Sequence, residues 1–137
     1  MLGFLGAAFA WGFLKASAVG VRASNFSLVH QALGVLEEEL VFREGLQEWA
    51  LGAGLQLAPS SANLLSASIF GLSHWNAGTH EAPVEWKVLR AADAGLGGFV
   101  YGLAYQRHGL LGAFLPHLSH NLGCACAAAA TRIEVVR

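Results

Sequence analysis

Long oily stretches alternate with short polar breaks along this chain. Apolar residues dominate roughly 1–21, 27–57, 60–77, 88–106 and 109–131. The clearest polar break is "GTHEAPVEWK", residues 78–87. A membrane-spanning helix needs about 20 mostly apolar residues. The pattern therefore predicts an all-α fold, a polytopic transmembrane helical bundle of about five membrane segments. The second stretch is too long for a simple span, and it would either run out of the bilayer or break near Gly52 and Gly54. Pro59 followed by Ser60 and Ser61 marks the start of the third. No repeat or low-complexity linker divides the chain. Residues 1–137 read as a single membrane domain, with an N-terminal helix within 1–26 and a core over 27–131.

Composition sharpens the membrane reading. The chain is 55% hydrophobic and 12% charged, with a mean hydropathy of +0.49. Soluble domains carry about 25% charged residues. A soluble helical bundle is the competing reading. A formal net charge of -1 and the lack of any Lys or Arg run exclude a basic nucleic-acid footprint. The 17 glycines suit helices that pack closely in lipid. Cys124 and Cys126 lie two apart in an Ala-rich stretch, point away from each other on a helix, and read as small packing residues.

The first stretch lacks the basic residues that open a signal peptide, although "ASA" resembles a cleavage site. It reads as a spanning or half-spanning helix whose Lys15 can snorkel. If all five stretches span, Arg22, Lys87, Arg90, Arg132 and Arg137 fall on one side and Arg107 on the other. The positive-inside rule then puts the C-terminus in the cytoplasm. Trp11, Trp49, Trp75 and Trp86 lie near segment ends or polar residues, as interfacial anchors do. Trp75 adjoins His74, which also suits a substrate path.

Three polar motifs interrupt the oily stretches. The first is "EEELVFR", residues 37–43, an E-E-x-x-x-R pattern at Glu38, Glu39 and Arg43. A charge near the centre of a membrane helix costs several kcal/mol or more. Glu39 and Arg43 are four apart, share a helix face and can pair. Glu38 lies about 100° round the helix and can point elsewhere. Alone, the stretch reads equally as a solvated helix end. The second motif is F-x-x-x-H at Phe70 and His74. The third is H-x-x-x-N at His117 and Asn121, two donors on one face that can serve a single oxyanion. His120, about 60° from His117, faces a neighbouring helix. His30, His80 and His108 lie outside the motifs, and His80 reads as solvated. Together the motifs place a carboxylate, two imidazoles and an amide on three oily segments. Convergence would build a cavity for activating water and stabilising a tetrahedral intermediate.

The ordered set Glu38, Glu39 and Arg43, then Phe70 and His74, then His117 and Asn121, resembles the CPBP intramembrane proteases. These are the CAAX prenyl endopeptidase and bacteriocin-processing relatives. The resemblance implies that Glu38 activates the attacking water and that His74 holds that water and shuttles protons. His117 and Asn121 would form the oxyanion site. Glu39 and Arg43 would be structural partners, and Phe70 a cavity wall. It implies a glutamate-type protease needing no metal. The alternative is a zinc ion on Glu38, His74 and His117, although H-E-x-x-H, the usual zinc-protease pattern, does not occur.

The implied activity is hydrolysis of a peptide bond in a membrane-associated or C-terminally anchored protein or peptide, as in sorting or CAAX-type processing. The implied setting is the bilayer, as a multi-pass protein of a bacterial inner membrane. The alternative is a non-catalytic scaffold or partner subunit of the same fold, such as a bacteriocin self-immunity protein. The sequence departs from the family in one respect. About 37 residues precede Glu38, where relatives commonly carry extra helices. A minimal member, a fragment, and a chain completed by a partner subunit or a second copy all fit that departure.

Overall fold

The computed structural model describes residues 2–19, 27–52, 54–76 and 83–135. All the extended regular elements among them are helical. Helix α1 is Leu2–Val19 and α2 is Leu28–Glu39. The chain continues without a break into a π-helical stretch, Leu40–Gln47, and then the short α3, Glu48–Leu51. Helix α4 is Pro59–Ser73, and α5 is Val84–Val135. His80 and Glu81, within the expected polar loop, lie outside the described residues, as do Arg22, Arg137 and the side chain of Arg132.

Local chemistry explains these boundaries. Gly52 caps α3 and donates its N–H to the Glu48 carbonyl at 2.9 Å, so the long second stretch ends where glycine was expected to break it. Pro59 opens α4, where its missing N–H costs nothing. The fourth and fifth stretches are joined by a single residue rather than a loop. Gly109 has φ 64° and ψ -161°, a conformation essentially restricted to glycine, and helical runs over 84–108 and 110–135 meet there. Pro116 adds a second irregularity inside the later run.

The chain divides into two compact units. One comprises residues 38–113. In it α4 packs against the first run of α5 through small residues. A Cβ on Gly71 would lie 2.5 Å from the Ala91 carbonyl oxygen, and one on Gly98 would lie 2.9 Å from the Phe70 ring. Gly95 and Gly98, with Gly102, thus form a face against which Asn63, Ala67, Phe70 and Gly71 sit. Small residues at this spacing let two backbones come together.

The other unit comprises residues 1–37 and 114–137. Ala8, Gly12 and Ala16 are buried and recur every four residues along α1. A Cβ on Gly12 would overlap the His120 carbonyl oxygen, and one on Gly123 would overlap the Phe9 carbonyl oxygen. Helix α1 and the end of α5 therefore touch backbone to backbone.

No helix among the described residues is long and apolar enough to cross a membrane. Helices α1 and α4 have 18 and 15 residues, short of the usual span of about 20. The runs of α5 are long, but glycine, histidine and other polar residues dilute them. Large apolar side chains nonetheless face outward, including Leu14, Leu64, Leu72 and Leu111, each more than half exposed. Trp49 and Trp86 are also about half exposed. Trp75 lines a shallow apolar groove of about 460 Å³ with Gly71, Leu72, Val88, Ala91 and Gly95.

Candidate active site

The two adjacent glutamates have different surroundings. Glu39 and Arg43 are both fully buried, and Arg43 donates from Nε to Glu39 Oε2 at 2.9 Å. Arg43 Nη1 donates to Ser66 Oγ on α4 at 3.1 Å, and Ser66 Oγ donates to the Phe42 carbonyl at 2.6 Å. The guanidinium also lies over the Phe70 ring, 5.8 Å from its centroid. These contacts bind the π-helical stretch to α4. A buried ion pair recovers its desolvation cost only when further hydrogen bonds satisfy the remaining polar groups. Ser66 and the Phe70 ring supply part of that compensation.

Glu38, one residue earlier, is turned outward with its side chain 37% exposed. Its Oε1 lies 3.8 Å from Nε2 of His74. His74 caps the C-terminus of α4, and its Nδ1 lies 2.8 Å from the Phe70 carbonyl. A carbonyl only accepts, so Nδ1 carries the hydrogen. Nε2 is then the ring nitrogen that faces Glu38. Ser73 supports this arrangement: its Oγ donates to the same Phe70 carbonyl at 2.7 Å and lies 3.2 Å from His74 Nδ1. The Phe70 ring is buried, 4.5 Å from the imidazole and 5.0 Å from the Phe42 ring, centroid to centroid. A gap of 3.8 Å is too long for a direct hydrogen bond. It leaves both atoms able to bond to one intervening water.

His117 and Asn121 belong to the other unit. They lie one helical turn apart on α5, with His117 buried and Asn121 partly buried. His120 is turned toward α1, as its angular position predicted. Its Nε2 lies 3.3 Å from Lys15 Nζ, and its ring meets Trp11 edge-on at 5.1 Å. An ammonium only donates, so Nε2 of His120 accepts. Lys15, expected to snorkel, is drawn inward because a ring nitrogen lies within its reach. Trp11, expected as an interfacial anchor, packs on His120. Cys124 donates from Sγ to the Gly12 carbonyl at 3.3 Å, and neither cysteine is in a disulfide.

The structure thus brings Glu38 and His74 together in one unit and keeps His117 and Asn121 on one helical turn in the other. Three buried polar residues of the first unit, Gln47, Asn63 and Ser66, escaped the sequence reading. The four-residue spacing of Glu39, Arg43 and Gln47 carried that signal, hidden among the exposed charges of the same stretch. Taken singly, neither unit gathers three His, Cys, Asp or Glu side chains placed to hold a metal ion among the described residues. Glu38 and His74 together offer two ligand atoms of the three protein ligands a catalytic zinc takes.

An all-helical chain with a carboxylate set against an imidazole, beside a second carboxylate locked in an ion pair, fits the hydrolase class. A family model described as Type II CAAX prenyl endopeptidase Rce1-like matches residues 25–123, which include all seven motif residues. The chain belongs to this Rce1-like family of proteases, which are typically membrane-embedded. No curated protein and no solved structure matches the chain.

Proposed function

We propose that the protein is an integral-membrane endopeptidase that cuts a membrane-associated or C-terminally anchored protein or peptide. One observation carries this reading. Of two adjacent glutamates, Glu39 is committed to Arg43, while Glu38 faces His74 Nε2 at 3.8 Å. In the proposed reaction Glu38 takes a proton from water, and the water oxygen attacks the scissile carbonyl. His117 and Asn121 donate hydrogen bonds to the oxyanion that forms. The proton passes through His74 Nε2 to the leaving amine as the C–N bond breaks. Ser73 and the Phe70 carbonyl hold His74 in the ring orientation this transfer needs.

This mechanism uses no metal. The competing arrangement has zinc on Glu38, His74 and His117, where it would act as a Lewis acid. Cleavage that persists in a strong chelator supports the glutamate mechanism, and loss restored by zinc supports the other. The membrane setting is supported by family membership and by the outward-facing leucines. The proposed topology is multi-pass, with about five membrane segments in a bacterial inner membrane and the C-terminus in the cytoplasm.

Mass spectrometry of protein termini, comparing cells with the wild-type chain and cells with Glu38→Gln, tests the function and names the substrate. Uncut membrane-associated precursors are expected in the variant. Unchanged termini, with both proteins at equal membrane levels, would favour a scaffold instead.

A further inference from the structure

A second polar site lies in the unit of residues 38–113, on the same helical face as the Glu39–Arg43 pair but one turn beyond it. Gln47 ends the π-helical stretch, Asn63 lies on α4, and both are fully buried. Asn63 Nδ2 donates to the Phe99 carbonyl at 3.0 Å, which fixes the orientation of its amide. Asn63 Oδ1 is thereby aimed at Gly102 on α5. A Cβ on Gly102 would overlap that oxygen and lie 2.9 Å from Gln47 Oε1. Two acceptor oxygens therefore converge on one glycine. Neither has a hydrogen-bond partner among the described residues, and the same holds for Gln47 Nε2 and Arg43 Nη2.

The chemistry of these atoms defines the ligand. Two are donors and two are acceptors, so the ligand must both donate and accept. A bare cation would satisfy the oxygens but would meet the Arg43 guanidinium one turn away. An anion would satisfy the donors but repel the two oxygens. Water does both, and buried waters typically make about three hydrogen bonds to polar groups of this kind. Leaving such groups unmatched in the interior is unfavourable.

We propose that Arg43, Gln47 and Asn63, whose amide Gly102 admits, form a buried water-binding site joining the π-helical stretch to α4 and α5. This inference does not rest on the protease reading. The site extends the Glu39–Arg43–Ser66 network by one turn, and a bound water, rather than direct side-chain contact, completes it.

The test is cross-relaxation between water and side-chain amide protons, in full-length protein in detergent micelles with ¹⁵N-labelled Gln and Asn. Gln47→Leu identifies the Gln47 signals. The Gln47 amide protons are expected to show cross-peaks to a long-lived water. Gly102→Ala, whose methyl would displace the Asn63 amide, should abolish them. If Gly102→Ala does not fold, Gln47→Met removes one donor and one acceptor without adding bulk, and should weaken the water contacts of the Asn63 amide. The proposal is overturned if wild-type Gln47 shows no contact with water. A coupling across a direct hydrogen bond from Gln47 Nε2 to Asn63 Oδ1, reached by turning the Gln47 amide, would overturn it too.

Discussion

Both units of the chain pack helices through glycine, and they differ in what lies beside those contacts. In residues 38–113 the interior is polar at its centre. Glu39, Arg43, Gln47, Asn63 and Ser66 are all fully buried, and hydrogen bonds from Arg43, Ser66 and Asn63 tie three helical segments together. In the other unit α1 meets the end of α5 through Gly12 and Gly123, so closely that no Cβ fits. Among its described residues the buried polar groups are His117 and His120. The first unit adds a buried group of charges and amides to its glycine contacts, whereas the second relies chiefly on the contacts themselves. In lipid, where apolar burial gives little drive for helix association, these are the two devices available. The comparison also separates the candidate catalytic groups. Glu38 owes its outward position to a neighbour locked in a polar core, and Asn121 lies on a helix placed by glycine.

Substitutions in the two units should differ in kind. The largest effect is expected for Arg43→Ala, which strands the Glu39 carboxylate in the interior. Removing one partner of a buried pair costs about 3–5 kcal/mol. Denaturant titration in detergent should show that loss, and replacing both residues with well-packed apolar ones should recover much of it. Gly12→Val attacks the other unit. Overpacking costs about 1–3 kcal/mol, and no compensating second substitution within the backbone contact should restore it. Thermal unfolding monitored by circular dichroism checks this. Gly109→Ala forces a Cβ into a conformation that costs about 1–3 kcal/mol for other residues. It should lower the unfolding temperature while leaving Glu39–Arg43 intact. Ser73→Ala is the mildest. It removes one hydrogen bond worth about 1 kcal/mol beside His74. The expected result is a several-fold lower kcat at unchanged KM in a peptide-cleavage assay.

Much of this arrangement was legible in the sequence because it repeats at helical spacing. The Glu39–Arg43 pairing, the outward turn of Glu38 and the rotation of His120 toward another helix all follow from residue number and 3.6 residues per turn. The glycine break after α3 followed from Gly52. Other features were not legible. The π-helical geometry of residues 40–47 has no local signal in the sequence. Gln47 and Asn63 read as ordinary polar residues until their burial is known. Lys15 was assigned to the interface because a helix-end lysine usually reaches outward, and only the packing of α1 on α5 reveals the imidazole that holds it. The Glu38–His74 approach is a contact between segments, which spacing within one segment cannot give.

The central claim is that two neighbouring glutamates do different work, Glu38 in chemistry and Glu39 in structure. Glu38→Gln and Glu39→Gln should be measured side by side for membrane accumulation and for cleavage of an identified substrate. The account predicts that Glu38→Gln accumulates like the wild type and cleaves at least about a hundredfold more slowly, the usual scale for losing a general base. It predicts that Glu39→Gln accumulates poorly. Wild-type cleavage by a well-accumulated Glu38→Gln protein would contradict it, as would a Glu39→Gln protein that folds normally while losing the chemistry.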